Sequence, residues 1–228
     1  MTGVFIQVRL GSTRLPGKAL LTLGSCTIIE HAMRRMRDVR ADCHALVCDD
    51  QSVDVLTPLA RQRGFEVFGG PREDVLERFV LAIDNFGVDT IVRATGDNPL
   101  LSTVYANHSL DAYTSAEADY TTYLGLPVGT GVEVVSSDAL RRARSESRDP
   151  YDHEHVTPYV YRSGHFRLNR PQSGLDASLG AAHVTVDTVD DYRRLLQFVV
   201  RAGGDDLPDF PTLCSWLTEE KNQAVSGD

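Results

Sequence analysis

Short apolar runs alternate with helical patterns through the first half of this chain. Four runs have the length and bounding residues of strands and lie at residues 4–8, 45–48, 65–68 and 91–92. Between them, apolar residues recur at helical spacing around residues 29–36, 51–63 and 73–86. An order of β-α-β-α-β-α-β joins parallel strands by helical crossovers that cover both faces of the sheet. The sequence therefore predicts a three-layer α/β/α fold with a mostly parallel central sheet.

The second half of the chain is less regular. Its pattern predicts strands at residues 119–123, 132–135, 166–168 and 184–186, and helices at 138–147 and 190–201. Residues 153–161 have a helical pattern that Pro158 limits. After Gly203 the pattern is weak and acidic, and it predicts no element. We expect one domain over residues 1–228, because a chain of 228 residues fits a single large α/β domain.

Composition excludes several classes of protein. The longest apolar run has five residues, at 79–83, whereas a membrane helix needs about 20. The N-terminus leads directly into a strand, so we expect no signal peptide and no membrane partner. A net charge of −9 argues against general nucleic-acid binding. The four cysteines have neither CxxC nor zinc-site spacing, which favours free thiols and a cytoplasmic location.

The connection after the first strand is rich in glycine and cations. Residues 9–18 include Arg9, Gly11, Arg14, Gly17 and Lys18. Glycines let the backbone approach a ligand, and backbone amides, Arg and Lys all bind phosphate oxygens. Ligands of parallel sheets bind at the carboxyl ends of the strands. The segment therefore predicts a polyphosphate site, with an ordinary surface loop as the alternative.

This segment matches neither common phosphate-binding motif. A P-loop has four residues between its glycines and a hydroxyl after its lysine, whereas here five residues separate Gly11 from Gly17 and Ala19 follows Lys18. A GxGxxG fingerprint is also missing from the sequence at this strand. Lys18 still stands out, because the chain has 21 arginines and one other lysine, Lys221. A compact ammonium differs functionally from a guanidinium, which makes Lys18 a candidate catalytic residue.

Two aspartates follow predicted strands. Asp97 lies in the Gly-Asp-Asn-Pro segment after the fourth strand, and Asp187 follows an apolar run at 184–186. Carboxylates at a strand-end rim can hold Mg²⁺ while water and phosphate complete its coordination. The alternative for each is a helix cap or turn residue, as we expect for Asp190.

Residues beyond the loop give weaker signals. Glu133 lies in an alternating strand, where it could face solvent or contact an acceptor. His153 and His155 suggest a metal site, but a spacing of two residues places them on different faces of a helix. We therefore favour acceptor contacts over metal binding for these histidines.

Five segments resemble the cytidylyltransferases, most closely the spore-coat polysaccharide biosynthesis type and its relatives that activate 3-deoxy-manno-octulosonate or acylneuraminate. The similarity rests on residues 5–18, 73–79, 92–100, 149–159 and 185–188. It implies a nucleotide-diphospho-sugar transferase fold of the GT-A, Rossmann-like type. Within that family, Lys18 and Arg9 correspond to catalytic residues, and Asp97 and Asp187 to ligands of Mg²⁺.

The resemblance also implies a set of nucleotide contacts. Those residues are Leu10, Gly11, Ser12, Arg14, Lys18, Arg72, Glu73, Asp74, Thr95 and Gly96. The chain departs from the family pattern on the acceptor side, at Val128, Gly131, His153 and His183. We therefore take Glu133, His153, His155 and His183 as candidate acceptor contacts without identifying the acceptor.

These expectations converge on CTP-dependent cytidylyl transfer with release of pyrophosphate. An anionic acceptor is favoured, because a carboxylate, phosphate or phosphonate needs no general base and the sequence identifies none. The alternatives are a glycosyltransferase of the same fold that uses a nucleotide sugar, and a non-catalytic nucleotide-binding module. By resemblance we also expect a homodimer, with residues 119–170 forming an acceptor-binding and dimerisation subregion.

Overall fold

Nine strands are present in the computed structural model, which describes residues 1–12, 14–204 and 206–226. Seven of them form one sheet, and two form a small separate hairpin. In chain order they are β1 (Thr2–Val8), β2 (Thr22–Leu23), β3 (Cys26–Thr27), β4 (Cys43–Asp49), β5 (Glu66–Gly70), β6 (Thr90–Thr95), β7 (Tyr120–Thr121), β8 (Glu133–Ser136) and β9 (Leu168–Asn169).

The order of the main sheet is β5-β4-β1-β6-β8-β7-β9. The first four strands are mutually parallel, with Val8 beside Cys48 and Gln7 beside Thr95 at their carboxyl ends. Strand β8 runs antiparallel to both of its neighbours, and β9 is parallel to β7. The expected mostly parallel sheet is confirmed, and it places the ends of β1 and β6 next to each other.

Helices cover both faces of the sheet. They are α1 (Ile28–Met36), α2 (Val53–Gln62), α3 (Val75–Phe86), α4 (Thr103–Ser115), α5 (Ser137–Glu146), α6 (Pro150–His155), α7 (Pro158–Arg162), α8 (Val189–Arg201) and α9 (Phe210–Ser226). Local sequence sets several boundaries. Helix α1 starts at a capping box in which Thr27 and Glu30 bond each other's backbone amides, and α3 ends at Gly87 with φ 65°.

Side-chain alternation along β1 builds two cores. Ile6 packs with Met33 and Leu56 on one face of the sheet, whereas Phe5 packs with Phe79 and Leu140 on the other. Successive strand residues point to opposite faces, so both faces of a parallel sheet must be apolar. This arrangement explains the continuous apolar runs in the first half of the sequence.

A third apolar cluster attaches the C-terminal segment to the domain. Phe198 of α8 stacks on Trp216 of α9, with ring centroids 4.2 Å apart, and Val186 packs in the same cluster. The sequence analysis predicted no element after Gly203, whereas α9 occupies Phe210–Ser226. Its weak amphipathic pattern concealed it, because its burial depends on a distant partner helix rather than on a regular apolar stripe.

Two other predictions from the second half need correction, and one helix was missed. Residues 184–186 form no strand, because the only ladder contact described there is a single bridge between Val128 and His183. The helical segment at 153–161 is two helices, α6 and α7, separated at residues 156–157. Helix α4 was not predicted at all. Short-range periodicity failed here because these segments are held by long-range contacts.

Within the described residues, no helix combines the length and apolar character needed to cross a bilayer.

Candidate functional site

A cleft of about 390 Å³ opens at the carboxyl ends of β1 and β6. Its walls carry more cationic than anionic side chains. The cationic ones are Arg9, Arg14, Lys18, Arg78 and Arg93, and the anionic ones are Asp97, Glu154 and Asp187. A concave surface with excess positive charge attracts anionic ligands. Its position agrees with the general rule for parallel sheets, since the adjacent strand ends leave a crevice there.

The loop after β1 is folded around the Leu10 carbonyl. The amides of Ser12 and Gly17 both donate to that oxygen, at 3.0 and 3.2 Å. The Leu10 amide donates to Ser52 Oγ at 3.3 Å, and Leu15 N donates to Ser12 Oγ at 3.3 Å. Gly17 has φ 66°, a conformation that favours glycine. These bonds bring Ser12, Arg14 and Lys18 to the cleft wall, while Leu10 and Gly11 lie beside it.

Lys18 joins the two predicted metal-binding aspartates. Its Nζ lies 2.7 Å from Asp97 Oδ2 and 2.8 Å from Asp187 Oδ1, and its side chain is only 13% exposed. Arg14 Nη2 is 3.2 Å from the same Asp187 oxygen. The aspartates are 90 positions apart in sequence, and a backbone bond of 3.1 Å from Val186 N to Asp97 O holds their segments together.

This arrangement fits a divalent cation. The Lys18 ammonium contacts both carboxylates at once, which shows that the pair can be satisfied by one shared positive charge. Carboxylate oxygens are the ligands that Mg²⁺ prefers. Within the described ranges, no group of three or more His, Cys, Asp or Glu is arranged for metal binding. A cation here would therefore take two protein carboxylates and complete its coordination with water or phosphate.

The remaining cleft residues come from several elements. Arg9 Nη2 lies 3.7 Å from Glu154 Oε1, and Thr95 and Gly96 line the floor after β6. An added Cβ on Gly96 would lie 2.7 Å from Ile29 Cδ1, so only glycine fits there without a shift.

Arg78, which was not among the residues predicted from the sequence, is buried on α3 and donates to the Pro71 and Arg72 carbonyls. Its signal was a guanidinium between the apolar residues Leu76 and Phe79 on the helix face that packs on the sheet.

Residues 72–74 are placed differently from one another. The Arg72 guanidinium lies beside Gly11, since an added Cβ there would be 3.0 Å from Arg72 Nη2. The Glu73 side chain is mostly exposed. Asp74 caps α3 by accepting from Glu77 N at 2.8 Å, and its other oxygen lies 2.8 Å from His153 Nδ1. Asp74 and His153 thus contact each other rather than lining the cleft.

A second cavity of about 260 Å³ adjoins the cleft and shares Arg93, Thr95 and Asn98 with it. Its remaining wall is largely apolar and comes from residues 122–133. Glu133 forms part of this wall but is not solvent-facing, since its side chain is 19% exposed. The structure thus places Glu133 in the wall of the second cavity, in contact with Arg93, which lines both cavities.

Three donors surround the Glu133 carboxylate. Arg93 Nη1 contacts one oxygen, while Tyr120 Oη and Thr157 Oγ1 donate to the other at 2.6 and 2.8 Å. Arg93 Nη2 also donates to Gln7 Oε1 at 2.8 Å. Burial, together with the Glu133 charge, raises the pKa of Tyr120 well above its usual range, so the hydroxyl remains a donor. Sequence analysis did not identify Arg93, because its partner lies 40 residues away.

The other two candidate histidines are separated by the fold. His155 lines the first cleft, and its ring centroid is 4.3 Å from that of Tyr151. His183 is exposed and lines neither cavity, and its carbonyl accepts from Arg194 Nη1. Of the four candidate acceptor contacts, the structure brings only Glu133 and His155 to a cavity wall.

Solved structures share this architecture. A cytidylyltransferase from Leptospira borgpetersenii superposes with a TM-score of 0.83 at 26% identity, covering 99% of this chain and 95% of the other. CMP:2-keto-3-deoxy-manno-octonic acid synthetase complexed with CTP gives 0.68 at 16% identity, covering 88% and 99%. Rv0371c of Mycobacterium tuberculosis complexed with manganese gives 0.62 at 19%, covering 86% and 97%. The latter two likenesses show the nucleotidyltransferase fold.

Sequence comparison identifies the family. The spore coat polysaccharide biosynthesis protein SpsF of Bacillus subtilis is 34% identical over 209 residues, covering 87% of this chain and 86% of SpsF. A family model described as Cytidylyltransferase matches residues 4–199, most of the chain. The resemblance found in the sequence is confirmed, and this chain belongs to the cytidylyltransferase family.

Proposed function

We propose that this protein transfers the cytidylyl group of CTP to a small anionic acceptor and releases pyrophosphate, with Mg²⁺ as cofactor. The observation that carries the proposal is the contact of Lys18 with both Asp97 and Asp187 inside a cation-rich cleft. That constellation combines a candidate metal-binding pair with donors for a triphosphate. Family membership supports an enzyme of this type.

The transfer forms one bond and breaks another. An acceptor oxygen attacks the α-phosphorus of CTP, and the bond from that phosphorus to the oxygen bridging the α- and β-phosphates breaks. Negative charge then develops on the phosphoryl oxygens and on the departing pyrophosphate. Lys18, Arg9 and Arg14 would offset that charge through positioning and electrostatics, without a covalent intermediate on the protein.

Asp97 and Asp187 would hold the cofactor. When bound by these carboxylates, Mg²⁺ would supply Lewis-acid chemistry toward the phosphate oxygens. Lys18 then has to leave the carboxylates, and its flexible side chain can turn toward the triphosphate that shares the cleft. The metal would then neutralise the charges of Asp97 and Asp187, and the nucleotide phosphates would neutralise the charge of Lys18.

The second cavity is the proposed acceptor site. It joins the cleft through Arg93, whose Nε is buried without a partner and whose two Nη groups each keep a further N–H. Arg93 could therefore donate to an anionic acceptor while it remains anchored on Glu133. An acceptor that is already ionised supplies its own nucleophilic oxygen, so no separate base is required.

Pyrophosphate release tests the proposal directly. The protein is incubated with Mg²⁺ and each of CTP, ATP, GTP and UTP, together with 3-deoxy-manno-octulosonate, glycerol phosphate or an alkylphosphonate. We expect release with CTP only, and a loss of about 10²-fold or more in Asp97→Asn and Asp187→Asn. Replacement of exposed Asp190 by Asn is the matched control, and it should leave release unchanged.

Two outcomes would contradict the proposal. Turnover of a UDP-sugar without pyrophosphate release would favour the glycosyltransferase alternative. Binding of CTP without turnover of any acceptor would favour a non-catalytic module. A thermal-shift comparison of the four triphosphates is the first step, because a specific ligand raises the apparent melting temperature.

We also propose a homodimer through residues 119–170 and a single functional domain over residues 1–228. Exposed Leu124, Tyr151 and Leu168 in that segment support an interface there. Light scattering after size-exclusion chromatography measures the mass, and a monomer at micromolar concentration would contradict the dimer.

The four cysteines are unpaired, which supports the proposed cytoplasmic location.

A further inference from the structure

Val156 has an unusual backbone conformation. Its φ is 74° and its ψ is −55°, and Thr157 N donates to His155 O at 2.9 Å across it. This is a three-residue γ-turn with positive φ, the rarer and more strained form of that turn. A β-branched residue with positive φ is a genuine outlier, because its side chain crowds the backbone. In the described part of the chain, Glu117 is the only other non-glycine residue with positive φ.

The structure around the turn holds it in place. Val156 is fully buried in the core that contains Phe5 and Phe79. Asp152, one turn earlier in α6, accepts from Ser147 Oγ at 2.6 Å and from Arg162, which lies on α7 beyond the turn. The Asp152–Arg162 contact therefore joins the two helices across Val156. Strained conformations persist where surrounding contacts over-determine them, and they cluster at functional sites.

The turn sends three consecutive side chains in three directions. His155 lines the cleft at the end of β1, and Val156 enters the core. Thr157 is 2% exposed, and its hydroxyl donates to Glu133, which contacts Arg93 in the boundary between the two cavities. One residue therefore connects a wall of the nucleotide cleft to the network that shapes the acceptor cavity.

We propose that Val156 is a positioning residue for the cytidylyl transfer proposed above: its strained turn fixes His155 in the cleft wall and Thr157 on Glu133, so that the two cavities share one rigid partition. This inference rests on the proposed function. The residue touches neither ligand and acts through its two neighbours. A small misplacement of groups around reacting atoms lowers the rate strongly, because transfer requires in-line alignment.

Two substitutions at Val156 separate strain from packing. Val156→Ala and Val156→Gly both remove the buried isopropyl group, but only glycine relieves a positive φ. Glycine normally destabilises relative to alanine through the entropy of the unfolded chain. Here we expect the glycine variant to melt roughly 2–4 °C above the alanine variant. Melting is followed by circular dichroism without any ligand.

Activity should change in the opposite direction. We expect Val156→Gly to have a kcat about tenfold below that of Val156→Ala, because glycine gives the backbone many accessible conformations and the turn then fluctuates instead of fixing its neighbours. CTP affinity, measured by calorimetry with Mg²⁺, should agree between the two variants within about threefold, since a positioning role lowers kcat through misalignment in the transition state and leaves nucleotide binding in place. Thr157→Val should reproduce the loss of kcat, and Thr157→Ser, which keeps the hydroxyl, should restore most of it.

The outcomes are distinguishable. A glycine variant that melts below the alanine variant, or that matches its kcat, would overturn the positioning role while wild-type turnover upheld cytidylyl transfer. Absence of pyrophosphate release from wild-type protein with CTP and every acceptor would overturn both proposals. A Thr157→Ser variant as impaired as Thr157→Val would show that the hydroxyl contact with Glu133 does not carry the effect.

Discussion

The two cavities are built by different means. The cleft lies at the ends of β1 and β6, strands of seven and six residues, and four of its charged groups lie in the segments that follow them: Arg9, Arg14, Lys18 and Asp97. The adjoining cavity lies among strands of two to four residues, where Glu133 accepts from three side chains and Val128 bonds residues 182 and 184 through its backbone. Regular strands thus place the first set of groups, and individual long-range bonds place the second.

This difference suggests a division of function. A site at the ends of regular parallel strands has a frame that the sheet itself fixes, which suits the proposed nucleotide. A cavity shaped by loops can change its lining without disturbing the sheet. We therefore expect substitutions in the cleft to abolish turnover with every acceptor. Substitutions around the second cavity should mainly change the KM for the acceptor.

The largest effect is expected in the cleft, at Lys18. Lys18→Met should lower kcat for pyrophosphate release by about 10²–10³-fold, because one donor to the developing charge is lost. Lys18→Arg should also be impaired, since a bulky planar guanidinium does not replace a compact, flexible ammonium as the donor to the triphosphate. Lys221→Met is the matched control, because Lys221 is the only other lysine and lies on α9. Full activity of Lys18→Met would contradict the proposed role of the cleft in the transfer.

A smaller and more selective effect is expected at Glu133. Glu133→Gln keeps the shape but removes the charge that anchors Arg93, and we expect the acceptor KM to rise about tenfold, since bonds to charged groups contribute about 1.5–3 kcal/mol. The affinity for CTP should change little. Glu117→Gln, an exposed substitution in the same region, is the control. An equal loss of CTP affinity in Glu133→Gln would mean that the two cavities are not separable.

The loop that lines the second cavity allows a test of its contribution to the stability of the fold. Gly129 has φ 98°, and an added Cβ would lie 2.9 Å from Thr185 N. We expect Gly129→Ala to cost about 1–3 kcal/mol, which corresponds to roughly 2–4 °C in melting temperature per kcal/mol. Gly131→Ala is the control, because its added Cβ would be 3.3 Å from the flexible Leu126 side chain. Equal melting of the two variants would argue against a tightly held loop.

The smallest effect is a pH dependence of stability that arises in the first half of the chain, away from both cavities. Burial lowers the pKa of both His31 and His44 from the ordinary value of 6.5. Near and below that value the unfolded chain binds more protons than the folded one, so stability is fully present above pH 6.5 and is lost as the pH falls toward the folded-state pKa. The melting temperature should fall between pH 7.5 and 5.5.

Two variants locate this dependence. His31→Gln should reduce it, because an amide can donate to Leu23 O as His31 Nε2 does, without titrating in this range. His44→Gln should reduce it as well, because burial also lowers the pKa of that imidazole. If the melting temperature of His31→Gln depends on pH as that of the wild type does, other groups cause the pH dependence.

Sequence reasoning succeeded where local pattern and final position coincide. The strand-helix alternation of the first half and the Gly-rich cationic loop were both predictable, because strand ends and crossovers determine where such a loop lies. The prediction that Asp97 and Asp187 share a rim agrees with their common contact to Lys18. Helices α4 and α9 were missed, and residues 184–186 were wrongly predicted as a strand, because short apolar segments do not reveal their partners.

The sequence by itself thus determined the fold class, the family and the position of the cationic loop at a strand end. Only the tertiary structure decided which polar side chains meet: Arg93 with Glu133, Asp74 with His153, and Lys18 with both aspartates. The physical reason is the range of the interactions involved. Periodicity and turn chemistry act between near neighbours in sequence, whereas an ion pair depends on where the folded backbone brings residues that are tens of positions apart.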